Sequence, residues 1–292
     1  MDARGRATHG AVAEGSRGIF IYRASQILLP EDGVDAYMNL HIESFGKGPE
    51  LVMLHGWGMH SGVWSEFAQR LAQHQRVTLI DLPGYGRSTT FPTPYSLALV
   101  AQAVLEHTPP HAHWLGWSLG GLIAQQVAHH APERVVKLVL LASSPQFLRS
   151  AAWPHAMDPA VLAQFATELQ RDYRATVLRF LALEVQGSAA ARDELRALRE
   201  RVFAHGEPQS AALTGGLNIL RDSNLRAQFR ALLQPVMVLL GANDRLVPAA
   251  AAHDMVRLLP HTVPHVISGA GHAPFLSQPD LCAQRVTEFL NE

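Results

Sequence analysis

Apolar residues along this chain fall into two alternating patterns. Short strand-like, mostly apolar runs occur at Leu51–Leu54, Val77–Asp81, Ala112–Gly116, Val136–Ala142, Pro235–Gly241 and Val263–Ser268. Between them lie segments with a 3.6-residue apolar period, at Ser96–Glu106, Leu119–His130 and Ala250–Leu259, and a last helix ends over Val286–Leu290. Met38–Phe45 alternates apolar and polar positions and reads as a strand that opens the series. Continuous apolar strands separated by amphipathic helices predict a mostly parallel sheet covered by helices on both faces.

The alternation breaks once. From Gln146 to Leu233 the periodicity is helical and no strand pattern is convincing. A stretch of that length between two sheet strands exceeds an ordinary crossover connection, so residues 146–233 are expected to form an inserted helical cap. Residues 37–145 and 234–292 are then the core. Residues 1–36 are rich in Gly, Ala and Arg and lack sustained periodicity, which predicts a disordered tail. Met38 is a candidate for the true start.

Composition narrows the partners. Charged residues make up 17% and the formal net charge is −1, so no global field attracts nucleic acid or an anionic membrane. No apolar run reaches the length of a membrane span, and the N-terminus lacks the apolar stretch of a signal peptide. The single cysteine, Cys282, excludes an intrachain disulfide and fits a reducing, cytoplasmic setting. It sits in an apolar-periodic segment, as a buried structural thiol would. A monomer is expected.

The candidate chemistry lies at strand ends. Gly116-Trp117-Ser118-Leu119-Gly120 is a G-x-S-x-G pentapeptide between an apolar strand and a helix. That context suits a sharp turn that lifts a serine nucleophile above the sheet, at a helix N-terminus that favours negative charge. A serine hydroxyl needs a base. His272, in Gly269-Ala270-Gly271-His272-Ala273-Pro274 after the last strand, is the candidate base, and Asp244, just after Val236–Leu240, is the acid that would orient it. The order Ser, Asp, His is that of the α/β-hydrolase fold.

The oxyanion of an acyl-transfer intermediate needs two backbone donors. Leu119 N–H follows the nucleophile; the second is expected from Trp57 in His55-Gly56-Trp57-Gly58, with Gly56 as the alternative. His55 reads as an anchor of that loop, and Asp81 in Asp81-Leu82-Pro83-Gly84 as a loop-pinning aspartate, since it precedes the serine. The sixteen histidines form no metal-ligand pattern, and no nucleotide-binding glycine motif stands in the right context. Neither a metal nor another cofactor is expected.

Five stretches, LHGWG (54–58), DLPGYGRS (81–88), GWSLGGLIAQQVAHHAPERV (116–135), LASSPQF (141–147) and GAGHAPFLSQP (269–279), together resemble the pimeloyl-acyl-carrier-protein methyl ester esterases of biotin synthesis. The resemblance covers most of residues 38–292. The Trp before the nucleophile, the ASSPxF stretch and HAPF at the histidine are its more specific parts. It implies a serine esterase that frees the terminal carboxylate of a pimeloyl chain held on an acyl carrier protein. It also implies a substrate pocket formed by Trp57, Ser118, Leu119, Phe180, Leu181, Ala182, Leu183, Glu184 and His272. The family usually carries Gln where this chain has Glu184.

Read as a helix, Ser188–Ala204 places Arg192, Arg196 and Arg199 on one face beside the apolar stripe Leu195, Leu198 and Val202. Spacing alone allows a solvated face or a basic landing patch. The resemblance implies the patch, with an acidic carrier protein as partner. A general short-chain carboxylesterase is the alternative within the class; a non-catalytic binding protein on the same scaffold is the alternative outside it. Removing residues 1–36 is expected to leave turnover and Tm unchanged, as measured by ester hydrolysis and thermal melting of the shortened protein. A large fall in either would mean that the segment packs on the body.

Overall fold

The computed structural model describes residues 38–292; residues 1–37, which include the expected tail, lie outside the described residues. Seven strands form one sheet in the order β1-β3-β2-β4-β5-β6-β7. They are β1 (Ile42–Gly46), β2 (Glu50–Leu54), β3 (Arg76–Ile80), β4 (Ala112–Trp117), β5 (Val135–Leu141), β6 (Val236–Gly241) and β7 (Thr262–Ile267). Only β1 runs antiparallel, along β3; the other neighbours pair in parallel. Every residue of β4 and β6 is buried, which is why these strands read as mostly apolar runs. β7, at the sheet edge, exposes Val263 and Val266 and carries Pro264, whose missing N–H an edge strand tolerates.

The covering helices of the core are α1 (Ser65–Leu71), α2 (Leu97–Leu105), α3 (Leu119–His130), α9 (Ala251–Leu258), α10 (Pro274–Ser277) and α11 (Pro279–Asn291). Between β5 and β6 lie five more: α4 (Pro159–Leu169), α5 (Tyr173–Glu184), α6 (Ala191–Val202), α7 (Ser210–Asp222) and α8 (Arg226–Arg230). Side-chain caps start two of these. Asp158 accepts the Ala160 N–H at 2.9 Å and Asp172 accepts the Ala175 N–H at 3.0 Å. α6 is shorter at its front than the periodicity predicts. The Ser188 hydroxyl accepts the Ala190 N–H at 3.2 Å, closing a turn ahead of the helix.

Strand order decides where a site can form. After β2 the chain moves to β3 on one side, then crosses to β4 on the other. At such a reversal the loops leaving the C-terminal strand ends part and leave a crevice. The loop after β2 and the turn after β4 therefore face each other, in the register that pairs Leu54 with Gly116. The glycines around that turn make the approach possible. A Cβ on Gly120 would lie 2.3 Å from the Leu54 carbonyl oxygen, and one on Gly116 would lie 2.4 Å from that of Gly120. Below the turn, Trp64, Phe67, Trp117 and Phe275 pack as an aromatic cluster, with centroids of 4.8 Å for Trp64–Phe275 and 5.1 Å for Trp117–Phe275.

Candidate active site

Ser118 sits between β4 and α3 with φ 54° and ψ −117°, a conformation that L-residues rarely adopt. Three bonds hold it there. Its N–H donates to the Leu141 carbonyl at 3.0 Å, the Gly121 N–H donates to its carbonyl at 2.9 Å, and the Ser143 hydroxyl donates to the same carbonyl at 2.8 Å. Backbone strain fixed by surrounding bonds is characteristic of a nucleophile elbow. The serine is 1% exposed, and its Oγ has no hydrogen-bond partner among the described residues.

His272 is buried and gripped from three sides. Its Nδ1 lies 2.8 Å from Asp244 Oδ2. Its backbone N–H donates to the Glu184 carbonyl at 2.8 Å, and the Trp117 indole N–H donates to its carbonyl at 2.8 Å. A carboxylate beside Nδ1 holds the proton on that nitrogen and leaves Nε2 as the free base. Among the described residues Nε2, like Ser118 Oγ, has no partner. The structure thus closes the Asp244–His272 bond and leaves the His272–Ser118 bond open. Unliganded hydrolases often hold that contact long until substrate seats. Asp244 is itself fixed, because its Oδ1 accepts the Leu246 and Val247 N–H groups at 2.8 and 3.0 Å.

The loop after β2 supplies the remaining wall. His55 spans it: Nδ1 donates to the Gly56 carbonyl at 2.8 Å, and Nε2 accepts the Leu82 N–H at 2.9 Å. Burial lowers the pKa of His55 to about 4, so it stays neutral and anchors the loop. Asp81 pins the neighbouring loop by accepting the Ser61 N–H at 2.7 Å and the Arg87 N–H at 2.9 Å. Burial raises its carboxyl, but the hydrogen bonds from Ser61 and Arg87 overcome that and hold it at about 2. Among the described residues no protein acceptor meets the backbone N–H of Trp57 or of Leu119. Leu119 opens α3, where N–H groups have no intrahelical partner.

The cap closes over these groups. Phe180 packs edge-on against the Trp57 ring, centroids 4.8 Å apart, and Phe165 packs behind it at 5.2 Å. Phe180, Leu181 and Glu184 are buried, while Ala182 and Leu183 are half-buried. Glu184 stands out, because both carboxyl oxygens are buried without a partner among the described residues. Burial, and next the charge of Asp244, push its pKa well above the usual carboxylate range. On α6, Arg192, Arg196 and Arg199 are exposed, and Arg196 also pairs with Asp193 at 3.3 Å. This face lies outside the enclosed site. Cys282 is buried in α11, with its thiol pushed up to about 12 by burial.

Two grips on His272 carry no signal that sequence reasoning reads. The Trp117 indole was marked only as a specific part of the resemblance, and the Glu184 contact uses a backbone carbonyl. Among the described residues no group of three or more His, Cys, Asp or Glu converges as a metal site, and no helix is long and apolar enough to cross a membrane.

A strained serine at a strand–helix turn, a buried His–Asp pair on the next loops and two unspent amides define the layout of a serine hydrolase. The α/β hydrolase fold family matches residues 49–279. The pimeloyl-[acyl-carrier protein] methyl ester esterase of Xanthomonas oryzae pv. oryzae is 46% identical over 251 residues, covering 86% of this chain and 98% of that protein. The protein of the same name from Vibrio campbellii is 42% identical over 251 residues, covering 86% of this chain and 98% of its own length. Among solved structures, an esterase from Exiguobacterium antarcticum superposes with a TM-score of 0.78 at 22% identity, covering 87% of this chain and 96% of its own, a likeness of fold alone. The chain belongs to the pimeloyl-[acyl-carrier protein] methyl ester esterase family, within the α/β hydrolases.

The buried acid generates a test. Folding raises the Glu184 pKa, so above about pH 4.5 the folded chain holds a proton that the unfolded chain releases. Stability then falls as pH rises from that value towards the folded-state pKa. Glu184→Gln keeps the shape and removes the dependence. The variant is expected to melt higher than wild type near pH 8, by about 3 °C or more, because roughly 1 kcal/mol moves Tm by ~2–4 °C at this size. Near pH 4 the two should melt together. Equal melting curves at both pH values would mean that Glu184 is ionised and solvated in the folded chain.

Proposed function

We propose that this chain hydrolyses the methyl ester of a pimeloyl group carried on an acyl carrier protein, with Ser118 as nucleophile, His272 as base and Asp244 as its orienting acid. The observation that carries the reading is the buried Asp244–His272 pair, 2.8 Å apart, in a chain that spans 98% of the length of an esterase named for that substrate.

Ser118 Oγ attacks the ester carbonyl carbon and gives its proton to His272 Nε2. The carbonyl oxygen takes the negative charge and sits between the Trp57 and Leu119 amides, at the positive end of α3. Asp244 steadies the imidazolium without accepting its proton. His272 then returns the proton to the departing methoxide, releasing methanol and leaving an acyl-serine. A water, deprotonated by His272, adds to that acyl group, and the same steps in reverse free the carboxylate and restore Ser118. Ester and water become acid and methanol. Phe180, Leu181, Ala182, Leu183 and Glu184, at the end of α5, contribute the acyl-side wall of the pocket. Arg192, Arg196 and Arg199 form the landing face for the acidic carrier, on the outer side of the cap.

The test is methanol release from purified pimeloyl-carrier methyl ester, alongside p-nitrophenyl butyrate. Ser118→Ala is expected to lose roughly 10⁴–10⁶ in turnover on both while keeping its fold. A variant retaining a tenth of wild-type turnover would remove Ser118 as the nucleophile. Changing Arg192, Arg196 and Arg199 together to Ala should raise KM for the carrier ester and leave the small ester unchanged. Added salt should reproduce the effect on wild type, since rim charges act through association and are screened. Equal losses on both esters would make the arginines structural. Loss on neither would favour a general short-chain carboxylesterase.

A further inference from the structure

Helix α7 carries two consecutive glycines, Gly215 and Gly216, in its middle. Glycine is far less favourable than alanine in a helix interior, so the pair needs an offsetting gain. The surroundings supply it. A Cβ on Gly215 would lie 2.5 Å from Tyr95 Cβ. One on Gly216 would lie 2.6 Å from the Tyr85 hydroxyl oxygen, 2.7 Å from Trp57 Cδ1 and 3.2 Å from Trp57 Nε1. Trp57 and Tyr85 are both fully buried, so neither ring has room to swing aside.

The close approach makes two bonds. The Trp57 indole N–H donates to the Leu213 carbonyl at 2.8 Å, and the Tyr85 hydroxyl donates to the Ala212 carbonyl at 2.9 Å. Trp57 is thereby held at its indole nitrogen by the Leu213 carbonyl, along Cδ1 and Nε1 by the bare backbone of Gly216, and by the Phe180 ring at a centroid distance of 4.8 Å. The far end of its loop is held by the Ser61 N–H bond to Asp81 at 2.7 Å and by His60 Nε2 against the Arg201 carbonyl at 2.6 Å, and the Met59 N–H reaches the Gly56 carbonyl at 3.3 Å. Gly56 and Gly58 flank Trp57 without side chains, and Gly58 stands at φ 75°. His55 secures the front of the loop and Ser61 its far end, and between them the Trp57 indole is the side chain that ties the oxyanion segment to α7. Two torsions separate the ring from the backbone, so the ring's seat sets the direction of the Trp57 N–H.

We propose that Gly216 is a positioning residue for ester hydrolysis: it lets α7 come close enough for the Leu213 carbonyl to take the Trp57 indole, and that bond aims the Trp57 amide at the developing oxyanion. The inference rests on the reading of Ser118 as nucleophile and of the Trp57 N–H as an oxyanion donor. Removing an oxyanion donor outright costs roughly 10²–10³ in kcat, and a displaced donor costs a part of that.

Two full-length variants test it. Gly216→Ala forces the ring away from α7, and Trp57→Phe keeps a ring but removes the indole donor. Each is measured on p-nitrophenyl butyrate, with kcat referred to active sites titrated by an organophosphonate. Each is also measured for inhibition by an alkyl boronic acid, whose tetrahedral adduct on Ser118 places an oxygen in the oxyanion position. Both variants should lose roughly 10–100-fold in kcat, hold KM within about twofold, and lose boronate affinity by the same factor as kcat. The double variant should be no worse than the weaker single one, since both break one device. Should Gly216→Ala fail to fold, Trp57→Phe alone decides. Unchanged kcat per active site and unchanged boronate affinity, with only a lower Tm, would overturn the inference and leave the glycines a packing role. If wild type fails to bind the boronic acid, or Ser118→Ala binds it equally well, the underlying reading of Ser118 fails instead.

Discussion

Everything in this site depends on keeping one imidazole in place. The loop that carries His272 is built from Gly269, Ala270, Gly271 and Ala273, residues too small to fix their own conformation. Its hold therefore comes from elsewhere: Asp244 from the loop after β6, the Trp117 indole from the end of β4, and the Glu184 carbonyl from the cap. Small residues let these three partners come near, and the partners supply the rigidity that small residues lack. Gly271 illustrates the trade, since a Cβ there would lie 2.9 Å from the Glu184 carbonyl oxygen. One consequence is mechanical coupling. The cap touches the base through a backbone bond, so a shift of α5 removes the acceptor from the His272 N–H.

The strands that build the platform were legible because burial on both faces removes polar residues from them. β6 is apolar throughout and β4 is broken only by His113, and Ser118 and Asp244 stand just beyond them, where a change from apolar to small and polar residues is visible in the chain. His272 was legible from the small residues Gly269, Ala270 and Gly271 that follow β7, although β7 itself is largely exposed at the sheet edge. α1, seven residues long, and α8, five residues long, gave no readable period, because two turns or fewer cannot display one. The predicted Ser188–Ala204 helix kept its arginine face but lost its first turn to the Ser188 side chain.

What stayed hidden is chiefly long-range contact with backbone atoms. The Trp117 indole meets the His272 carbonyl across 155 positions, and the Trp57 indole meets the Leu213 carbonyl across 156. A carbonyl oxygen is present at every residue, so nothing in the sequence distinguishes the one that serves as acceptor. The partnerless Glu184 carboxyl is a different case. Its residue type is plain, but its isolation follows from how the end of α5 packs beside Asp244, which no spacing encodes.

The burial of the serine and the imidazole also has a kinetic side. Ser118 Oγ and His272 Nε2 present no exposed surface. A molecule in solution therefore cannot collide with either in this arrangement, and each encounter requires neighbouring side chains to give way. Reactivity becomes a duty cycle, set by how often and how long the enclosure is breached. A covalent serine reagent added in growing excess would then approach a limiting inactivation rate. That plateau would clock the opening of the enclosure and carry no information about the intrinsic nucleophilicity of the serine.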